Sequence, residues 1–420
     1  MQKLVIAEPS LTDQRGHHYL LTRLVSEAAI KIGLRVIWLV NRRFSIEITD
    51  ADVEVRPVFS FTMYDKYRAV SDSSIQPKFT NEIACEITGS LAEMGLSEDD
   101  HVLFHTAYFE IFETFFQYFS SEAGNDSPMI HLCTPYDDKT MPGRPNDKAV
   151  FDVLKRIACL YAVEKRLFLW AETPQLADYY RSSIGVNVYP LPLPVNNSHE
   201  IKEYSGNKDE KTSIKVVYLG AAREEKGFIH LPELVALCRE NELTRSRLQF
   251  VIQAAPQIVG YNDRIISAIR SLESFDTGFV TLITQSLDEE SYRNLLKNAD
   301  VVLLLYDQVN YRIRGSGIAV EAVSLSKCLV ATKNTFCASL IDRGGGAQVS
   351  SVLEAYHFLE QYVKFPDLHK IRARHQGYFY TMQNSASYYI NRLLYRKVVG
   401  TRSWNKPSNV VNFISPLLIQ

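Results

Sequence analysis

The chain has 420 residues, which is long for one hydrophobic core, so its length predicts two domains. Hydrophobic residues make up 46% and charged residues 22%, and a net charge of −2 gives no reason to expect a nucleic-acid partner. The six cysteines include no C-x-x-C pair, which favours buried, reduced thiols. The N-terminal apolar stretch is too short for a secretory signal, and no apolar run reaches the roughly 18 residues of a membrane span, so we expect a cytoplasmic protein.

In the first half, short apolar runs alternate with segments of helical periodicity, which is typical of a doubly wound parallel sheet. The predicted strands are residues 4–7, 35–40, 53–56, 101–105, 129–134 and 166–170. The predicted helices are residues 19–32, 81–95, 108–119, 149–160 and 173–182. Residues 61–78 are predicted as a loop, and residues 186–193 as an extended, proline-rich exit from the first domain.

The first strand leads into the polar loop EPSLTDQRGHHY, which contains Gly16, His17 and His18. Gly16 would let the backbone approach a ligand across a cleft, and it serves equally well as ordinary turn punctuation. No G-x-G-x-x-G sequence accompanies it, so the loop does not predict a dinucleotide site. The two histidines beside Gly16 are further candidates for the same site.

Residues 196–212 are polar and charged without apolar periodicity, which predicts a linker. A five-stranded alternation then begins again, and the glycines at 344–346 are predicted to lie in a loop. The predicted strands are residues 214–219, 248–254, 279–284, 301–305 and 328–332, and the predicted helices are residues 230–240, 262–272, 288–298, 316–323, 351–363 and 368–397. We therefore predict domains at 1–195 and 213–370, followed by a final helix and tail at 371–420.

The stretch of residues 300–334 is the one around which the second domain is organised. It predicts a buried strand, a polar loop, a helix capped by Ser316, and a second buried strand. Gly315 and Gly317 flank the helix start, so no bulky side chain shields its free backbone N–H groups. Such a helix start is a ready site for a diphosphate. Glu321 follows about one turn later, where a carboxylate would accept hydrogen bonds from sugar hydroxyls.

A second loop, Gly220–Gly227, follows the first strand of the second domain and places two cations three residues apart beside glycines. Arg223 can hold a phosphate through two parallel N–H bonds, and Lys226 adds a compact positive charge. Both loops lie at carboxyl ends of strands, so we expect them to face one another and to cradle a diphosphate. The alternative is a solvated loop, because the run REEK is also self-neutralising.

The two loops together resemble those of GT-B-fold retaining glycosyltransferases of the family 4 type. The resemblance rests on GAAREEKG and YRIRGSGIAVEAVSLSKCLVAT, in the family's order and spacing, and covers roughly residues 214–335. It implies two Rossmann-like, doubly wound domains that face across a cleft, with the final helix crossing back onto the first domain. It also implies a nucleotide-diphosphate-sugar donor and retention of configuration. Arg223 and Lys226 need no metal to stabilise a diphosphate, so we expect no required metal or other cofactor.

The resemblance also implies roles for individual residues. Arg223 and Lys226 would act catalytically by stabilising the departing diphosphate, and Glu321 would contact the donor ribose. The full set of donor-binding candidates is Gly16, Gly220, Arg314, Ser316, Gly317 and Ile318.

One position departs from the family pattern. The family often carries two glutamates separated by seven residues, and the position of the earlier one holds Ile313 here. Asp307 or the backbone of residues 311–315 would then take its place near the transferred sugar. Arg312 and Arg314 would add positive charge near the donor or lie on a solvated loop. The departure also leaves an inactive relative as an alternative.

Candidates in the first domain lie at the ends of its strands. His105 ends the fourth predicted strand and is a candidate catalytic residue that would hold the transferred sugar, or else an ordinary packed histidine. Tyr136 and Asp137 lie in a loop rich in Pro, Gly and Asp after the next strand. There they would face the acceptor, or Asp137 would simply form a turn.

We therefore expect a hexosyltransferase-type enzyme that transfers a sugar from a nucleotide-diphosphate donor to a hydroxyl of a glycan or lipid-linked acceptor, in cell-surface polysaccharide or glycoconjugate synthesis. Basic residues including Lys155 and Arg156 favour peripheral contact with the inner face of a membrane, although scattered solvated lysines explain them equally well. The alternatives are a sugar-nucleotide epimerase of the same fold, which needs acid–base residues at the sugar, and a nucleotide-binding protein without turnover.

Overall fold

A computed structural model describes residues 1–14, 17–46, 48, 52–62, 76–120, 127–141, 146, 148–160, 162–163, 165–185, 187–195, 213–255 and 262–394. Gly16, the predicted linker at 196–212 and the tail after residue 394 lie outside these described residues. The described chain forms two parallel sheets whose strands alternate with helices. This arrangement confirms the predicted α/β, Rossmann-like architecture.

Seven parallel strands, in the order β3-β2-β1-β4-β5-β6-β7, form the first sheet. The strands are β1 (Lys3–Glu8), β2 (Arg35–Asn41), β3 (Val53–Phe59), β4 (His101–Phe104), β5 (Met129–Thr134), β6 (Leu167–Ala171) and β7 (Val188–Pro190). The helices that accompany them are α1 (His17–Lys31), α2 (Gln76–Glu93), α3 (Phe109–Ser120), α4 (Ala149–Ala158) and α5 (Pro174–Ile184). β4 and β6 are buried along their whole length because helices cover both faces of the sheet.

Two predictions for this sheet need correction. The extended exit predicted at 186–193 contains β7, since Val188 pairs with Leu169 of β6. A proline is tolerated there because β7 is an edge strand. The loop predicted at 61–78 gives way to helix at Gln76, and residues 63–75 lie outside the described residues.

Six parallel strands, in the order β10-β9-β8-β11-β12-β13, form the second sheet. The strands are β8 (Ile214–Tyr218), β9 (Leu248–Gln253), β10 (Val280–Ile283), β11 (Val301–Leu304), β12 (Cys328–Thr332) and β13 (Gly346–Val349). The α-helices that accompany them are α6 (Leu231–Glu240), α7 (Glu242–Arg247), α8 (Asp263–Glu273), α9 (Glu289–Asn298), α10 (Gln308–Tyr311), α11 (Gly317–Ser324), α12 (Phe336–Ser339) and α13 (Val352–Lys364).

The sixth strand, β13, corrects the five-stranded prediction. Its first residue, Gly346, belongs to the glycine run that the sequence places in a loop. A Cβ atom at Gly346 would lie 2.0 Å from the carbonyl oxygen of Leu329 in β12. Glycine is therefore required here because the two backbones approach closely. The glycines make the sequence look like a loop, and the strand is missed for that reason.

The predicted final helix is two helices, α14 (Pro366–Gln383) and α15 (Ala386–Leu394). The helix breaks at Asn384 and Ser385 because these residues pair with the end of the first half: the Val195 N–H donates to the Asn384 carbonyl at 2.8 Å. α14 packs on α11 of the second sheet, and α15 packs on α1 of the first. The predicted crossover is thus confirmed, with a corner in it. Within the described part of the chain, no helix combines the length and apolarity needed to cross a membrane.

Each sheet has one place where successive connections run to opposite sides. In the first sheet this switch point lies between β1 and β4, and in the second it lies between β8 and β11. Ligands of open α/β sheets bind outside the carboxyl ends of strands at such points. The residues that follow these four strands are therefore where the site should be sought.

Candidate functional site

The predicted loop and the predicted helix start meet at the switch point of the second sheet. Gly220 follows β8 with a φ of 106°, and its N–H donates to Gln253 Oε1 at 2.8 Å. A Cβ atom at Gly220 would lie 3.2 Å from Ile318 Cδ1 and 3.3 Å from Lys226 Nζ. Three of the residues proposed from the sequence are thus brought into one small region.

Gly227 fixes the position of this loop against β11. It has a φ of 72°, and a Cβ atom there would lie 1.9 Å from the carbonyl oxygen of Leu305. The Asp307 N–H adds a hydrogen bond to the Glu225 carbonyl at 2.9 Å. Because these contacts are between backbone atoms, the loop is held at a defined height over the strand ends, and Lys226 is held with it.

Three cations surround the same point. Burial, together with repulsion from Arg223 and Arg314, lowers the pKa of the Lys226 ammonium to about 8. The Lys226 ammonium lies 5.8 Å from the centre of the Tyr306 ring, and the Arg314 guanidinium lies 5.5 Å from that of Tyr311. Arg223 contacts Glu225 at 3.5 Å, so part of its charge is balanced. The remaining excess of positive charge is what a bound polyanion would neutralise.

The start of α11 has the predicted Ser316 cap and an open Gly317, but Gly315 has a role that the sequence did not predict. Ser316 caps the helix by accepting the Ala319 N–H at 3.4 Å, and no described atom lies within 4 Å of a Cβ placed on Gly317. The helix start is therefore open. Gly315 has another reason to be glycine, because a Cβ there would lie 2.2 Å from Glu172 Oε1 of the first sheet's domain.

Glu321 has a partner that the sequence did not reveal. It is half-buried on α11, and burial raises the pKa of its carboxyl group. The Tyr292 hydroxyl on α9 donates a hydrogen bond to it, and Arg293 also stabilises its charge. Tyr292 thus relieves part of the cost of burying a carboxylate on an apolar helix. The contact of Glu321 with a ribose stays a prediction.

Ile313, where the family that the sequence resembles often carries a glutamate, makes an interdomain contact. Ile313 packs against the core of the first sheet's domain, and its carbonyl accepts the Thr173 hydroxyl at 2.6 Å. A second contact joins Gln175 Nε2 to Ser339 Oγ at 2.8 Å. Asp307 caps α10 by accepting two backbone N–H groups, so its carboxylate is already engaged.

Glu172 was missed in the sequence. It directly follows β6, beside Arg314 and Gly315. Burial raises the pKa of Glu172 to about 7, although the charge of Arg314 opposes the shift. A single acidic residue after an apolar strand carries little signal, and only the packing of the two domains shows that it faces the Arg314 loop.

The switch point of the first sheet holds His105, immediately after β4. Its Nδ1 atom lies 3.2 Å from Glu8 Oε2, and Glu8 is the last residue of β1. His18 Nδ1 on α1 lies 3.3 Å from the same oxygen. Burial opposes ionisation of Glu8, but the two imidazoles outweigh it and hold the pKa of Glu8 at about 2. Burial also lowers the pKa of His105 to about 4, although the charge of Glu8 opposes this shift. We call Glu8, His18 and His105 the Glu8 cluster.

Tyr136 and Asp137 follow β5. The Asp137 carboxylate accepts the N–H groups of Lys139 and Thr140 at 3.0 and 2.7 Å, as in a side-chain-closed turn. The Tyr136 carbonyl accepts the Tyr180 hydroxyl at 2.9 Å. These bonds account for a structural role, and acceptor binding by the two residues stays a prediction.

Comparison with solved structures identifies the fold. The chain resembles sucrose-phosphate synthase from Thermosynechococcus elongatus at 13% identity and a TM-score of 0.63, over 94% of this chain and 99% of that one. It resembles a UDP-forming α,α-trehalose-phosphate synthase from Burkholderia xenovorans at 12% identity and a TM-score of 0.65, over 94% and 99%. A third is HepE from Anabaena, at 9% identity and a TM-score of 0.62, over 94% and 99%.

No protein-family model matches the chain, and no curated protein matches it in sequence. Identities of 9–13% show a shared fold and nothing finer. The structural neighbours cover nearly the whole chain, and the chain covers nearly the whole of each neighbour. The chain therefore has the two-domain GT-B fold.

Proposed function

We propose that the chain is a retaining, family 4-type glycosyltransferase that moves a hexosyl group from a nucleotide-diphosphate sugar to a hydroxyl of a glycan or lipid-linked saccharide. The observation that supports this most strongly is the convergence of Lys226 with Gly220 and Ile318, between Arg223 and Arg314, at the open start of α11. The donor class is also supported by neighbours described as UDP-forming and as bound to UDP and glucose.

The proposed mechanism uses these groups in the step that breaks the bond between the anomeric carbon and the diphosphate oxygen. The diphosphate gains negative charge as the bond breaks, and Arg223 and Lys226 stabilise that charge. The backbone N–H groups of residues 316–318 bind the phosphates, and Glu321 binds the ribose. His105 holds the transferred sugar, and Tyr136 and Asp137 face the acceptor. The cations supply the charge, so we propose that donor binding requires no added metal.

We further propose domain boundaries at 1–195 and 213–370, with residues 196–212 as linker and 371–420 as crossover segment and tail. A cytoplasmic location with peripheral contact at the inner membrane face would suit a lipid-linked acceptor. Flotation with vesicles that contain anionic lipid would test this contact, and equal binding to neutral vesicles would contradict its electrostatic basis.

The first experiment is a thermal-shift and calorimetric screen with UDP, GDP, ADP and their sugar conjugates, in EDTA. We expect one nucleoside diphosphate to bind best, and Arg223→Ala to reduce transfer by about 2–4 kcal/mol of lost charge stabilisation. Arg270→Ala is the matched control, because Arg270 is an exposed arginine on α8 of the same domain. Equal turnover in the Arg223 and Arg270 variants would contradict the diphosphate assignment.

A nucleotide-binding protein without turnover is the second candidate, and Ile313 is the observation that favours it. At this position the side chain packs on the first domain and offers no carboxylate. Binding of a diphosphate that depends on Arg223, with neither transfer nor donor hydrolysis across a panel of acceptors, would establish this alternative. Detectable hydrolysis of the donor would exclude it.

A further inference from the structure

The Glu8 cluster is buried at the first switch point. Glu8 is 2% exposed, His105 4% and His18 6%. They come from the end of β1, the residue after β4, and the first turn of α1, which are three separate segments. Three ionisable side chains that are brought together from separate segments and buried require a reason.

The geometry of the cluster matches that of a metal centre. The two imidazole Nδ1 atoms lie 3.3 and 3.2 Å from Glu8 Oε2, and one ligand atom from each of the three residues lies within 4.8 Å of the other two. A tetrahedral zinc ion with bonds of about 2.0–2.1 Å places neighbouring ligand atoms about 3.3 Å apart. Two imidazoles and one carboxylate are also a donor set that zinc uses when a water molecule completes its coordination.

The carboxylate of Glu8 is divided between two tasks. Its Oε1 atom accepts the Ser10 N–H at 3.0 Å. Its Oε2 atom is buried and faces the two imidazole nitrogens, and His18 contributes a hydrogen bond to the carboxylate. A buried carboxylate also needs compensating positive charge. A cation between Oε2 and the two ring nitrogens would supply that charge.

Neighbouring groups orient the ligands as outer-shell partners do in metal sites. His105 Nε2 lies 2.9 Å from Thr22 Oγ1, which fixes the ring. Thr22 is held in turn, because its carbonyl accepts the Ser26 hydroxyl at 2.7 Å. Thr106 Oγ1 hydrogen-bonds His105 Nδ1 at 3.1 Å, and zinc bound at Nδ1 would replace that hydrogen bond. The buried Tyr108 hydroxyl makes no hydrogen bond to a described residue, and it lies close enough to Glu8 to interact electrostatically with the carboxylate.

We propose that Glu8, His18 and His105 bind one zinc ion through Oε2 and the two Nδ1 atoms, with water as the fourth ligand. This site belongs to the first domain and is separate from the diphosphate site on the second sheet, but zinc bound to His105 would replace the direct contact of this residue with the transferred sugar. It does not rest on the proposed transfer activity, since it concerns metal binding alone.

The test uses the full-length protein, stripped with a chelator and then titrated with ZnCl₂ or CoCl₂. We expect one equivalent of zinc after dialysis, measured by plasma mass spectrometry, and the visible absorption bands of four-coordinate cobalt. Glu8→Gln keeps the shape of the side chain but removes its charge, and we expect it to lose both signals. His375→Gln is the control, because it removes an exposed histidine outside the cluster and should retain both.

A variant that retains all three ligands guards against misfolding. Thr22→Val removes the hydrogen bond to His105 Nε2, and we expect about 10–100-fold weaker zinc binding, measured against a fluorescent chelator. If Glu8→Gln does not fold, as judged by circular dichroism, this variant decides. Less than a tenth of an equivalent in the wild type, or equal affinity in the Thr22→Val and His375→Gln variants, would overturn the proposal and leave a metal-free ion-pair cluster.

Discussion

The two switch points occupy the same place in two similar sheets, yet they carry opposite chemistry. Around β8 and β11, the cations Arg223, Lys226 and Arg314 gather near an open helix start. Around β1 and β4, Glu8 is enclosed by two imidazoles and buried from solvent. The first arrangement is suited to an anion that enters and leaves, and the second to a small group held permanently.

The comparison shows that sheet topology determines where polar side chains collect, namely at the switch points. Local backbone packing determines which side chains they are. On the second sheet, Gly220 and Gly227 bring backbone against Lys226 and Leu305, so the loop is tight, whereas the helix start at Gly317 stays open. On the first sheet, α1 carries His18 directly over the end of β1. Variants in the second sheet's loop and at the contacts between the domains test this comparison.

The largest effect should come from Gly227→Ala. The new Cβ would lie 1.9 Å from the Leu305 carbonyl at a φ of 72°, so strain and overlap add together. We expect the free energy of unfolding to fall by about 2–5 kcal/mol and nucleotide binding to be lost. Denaturant titration and calorimetry measure the two quantities.

Gly89→Ala is the control for that change. Gly89 is an exposed residue within α2, and a Cβ atom added there would have no described atom within 4 Å. We expect the free energy of unfolding to rise by up to about 1 kcal/mol, since alanine favours helix. Equal stability of the Gly227→Ala variant and the wild type would show that the loop is not held by backbone contact.

The next effect concerns the charge of Lys226. The pKa of its ammonium in the free protein is about 8, so the charged form is present at neutral pH and is lost as pH rises through 8. A bound diphosphate raises that pKa, so its affinity should fall up to about tenfold per pH unit above pH 8. In Lys226→Gln we expect about 10–100-fold weaker binding at pH 7.5 and no such slope. The same slope in both proteins would contradict the assignment.

A smaller effect should appear at Glu172. The pKa of its carboxyl group is raised to about 7, so ionisation of this group between pH 4.5 and 7 costs the folded state free energy. Glu172→Gln should therefore become more stable relative to the wild type as pH rises through this window, by up to about 3 kcal/mol at pH 8. Glu273→Gln, at an exposed position on α8, should show no pH-dependent difference. A pH-independent difference for Glu172→Gln would exclude burial of its charge as the cause.

The smallest effect compares two threonines that make the same bonds. Thr173 caps α5 and donates to the Ile313 carbonyl of the other domain, whereas Thr335 caps α12 and donates to the Thr332 carbonyl of its own. Replacing either by valine should cost about 1–2 kcal/mol. Only Thr173→Val should increase the radius of gyration, measured by X-ray scattering. An identical radius in the two variants would mean that the Thr173 bond does not hold the domains together.

The fold was largely predictable because most strands are apolar runs and most helices have apolar periodicity. The exceptions have local causes. β13 begins at Gly346, whose glycine is required by contact with Leu329 and therefore looks like loop composition. The corner between α14 and α15 falls at Asn384 and Ser385 without proline or glycine, and it arises from pairing with Val195, which is distant in sequence.

The convergence of residues at the second sheet's candidate site was predictable because its signals are local. Glycines and cations within one loop indicated Gly220 and Lys226, and the structure places both beside Ile318. Glu8 and Glu172 were missed because each is a single acidic residue at a strand end. Their neighbours, His105 and Arg314, are far away in sequence, so their meaning depends on how sheets and domains pack.

The crossover has a consequence for how the chain is made. α15 supplies Tyr389, Ile390 and Leu393 to the same core cluster as β1 and α1. Synthesis proceeds from the N-terminus, so a nascent chain exposes this apolar face of the first domain while the whole second domain is being translated. The first domain leaves the ribosome first, but its core is completed last, when α15 packs on it. A chain that ends before residue 386 lacks α15 and leaves this apolar face exposed.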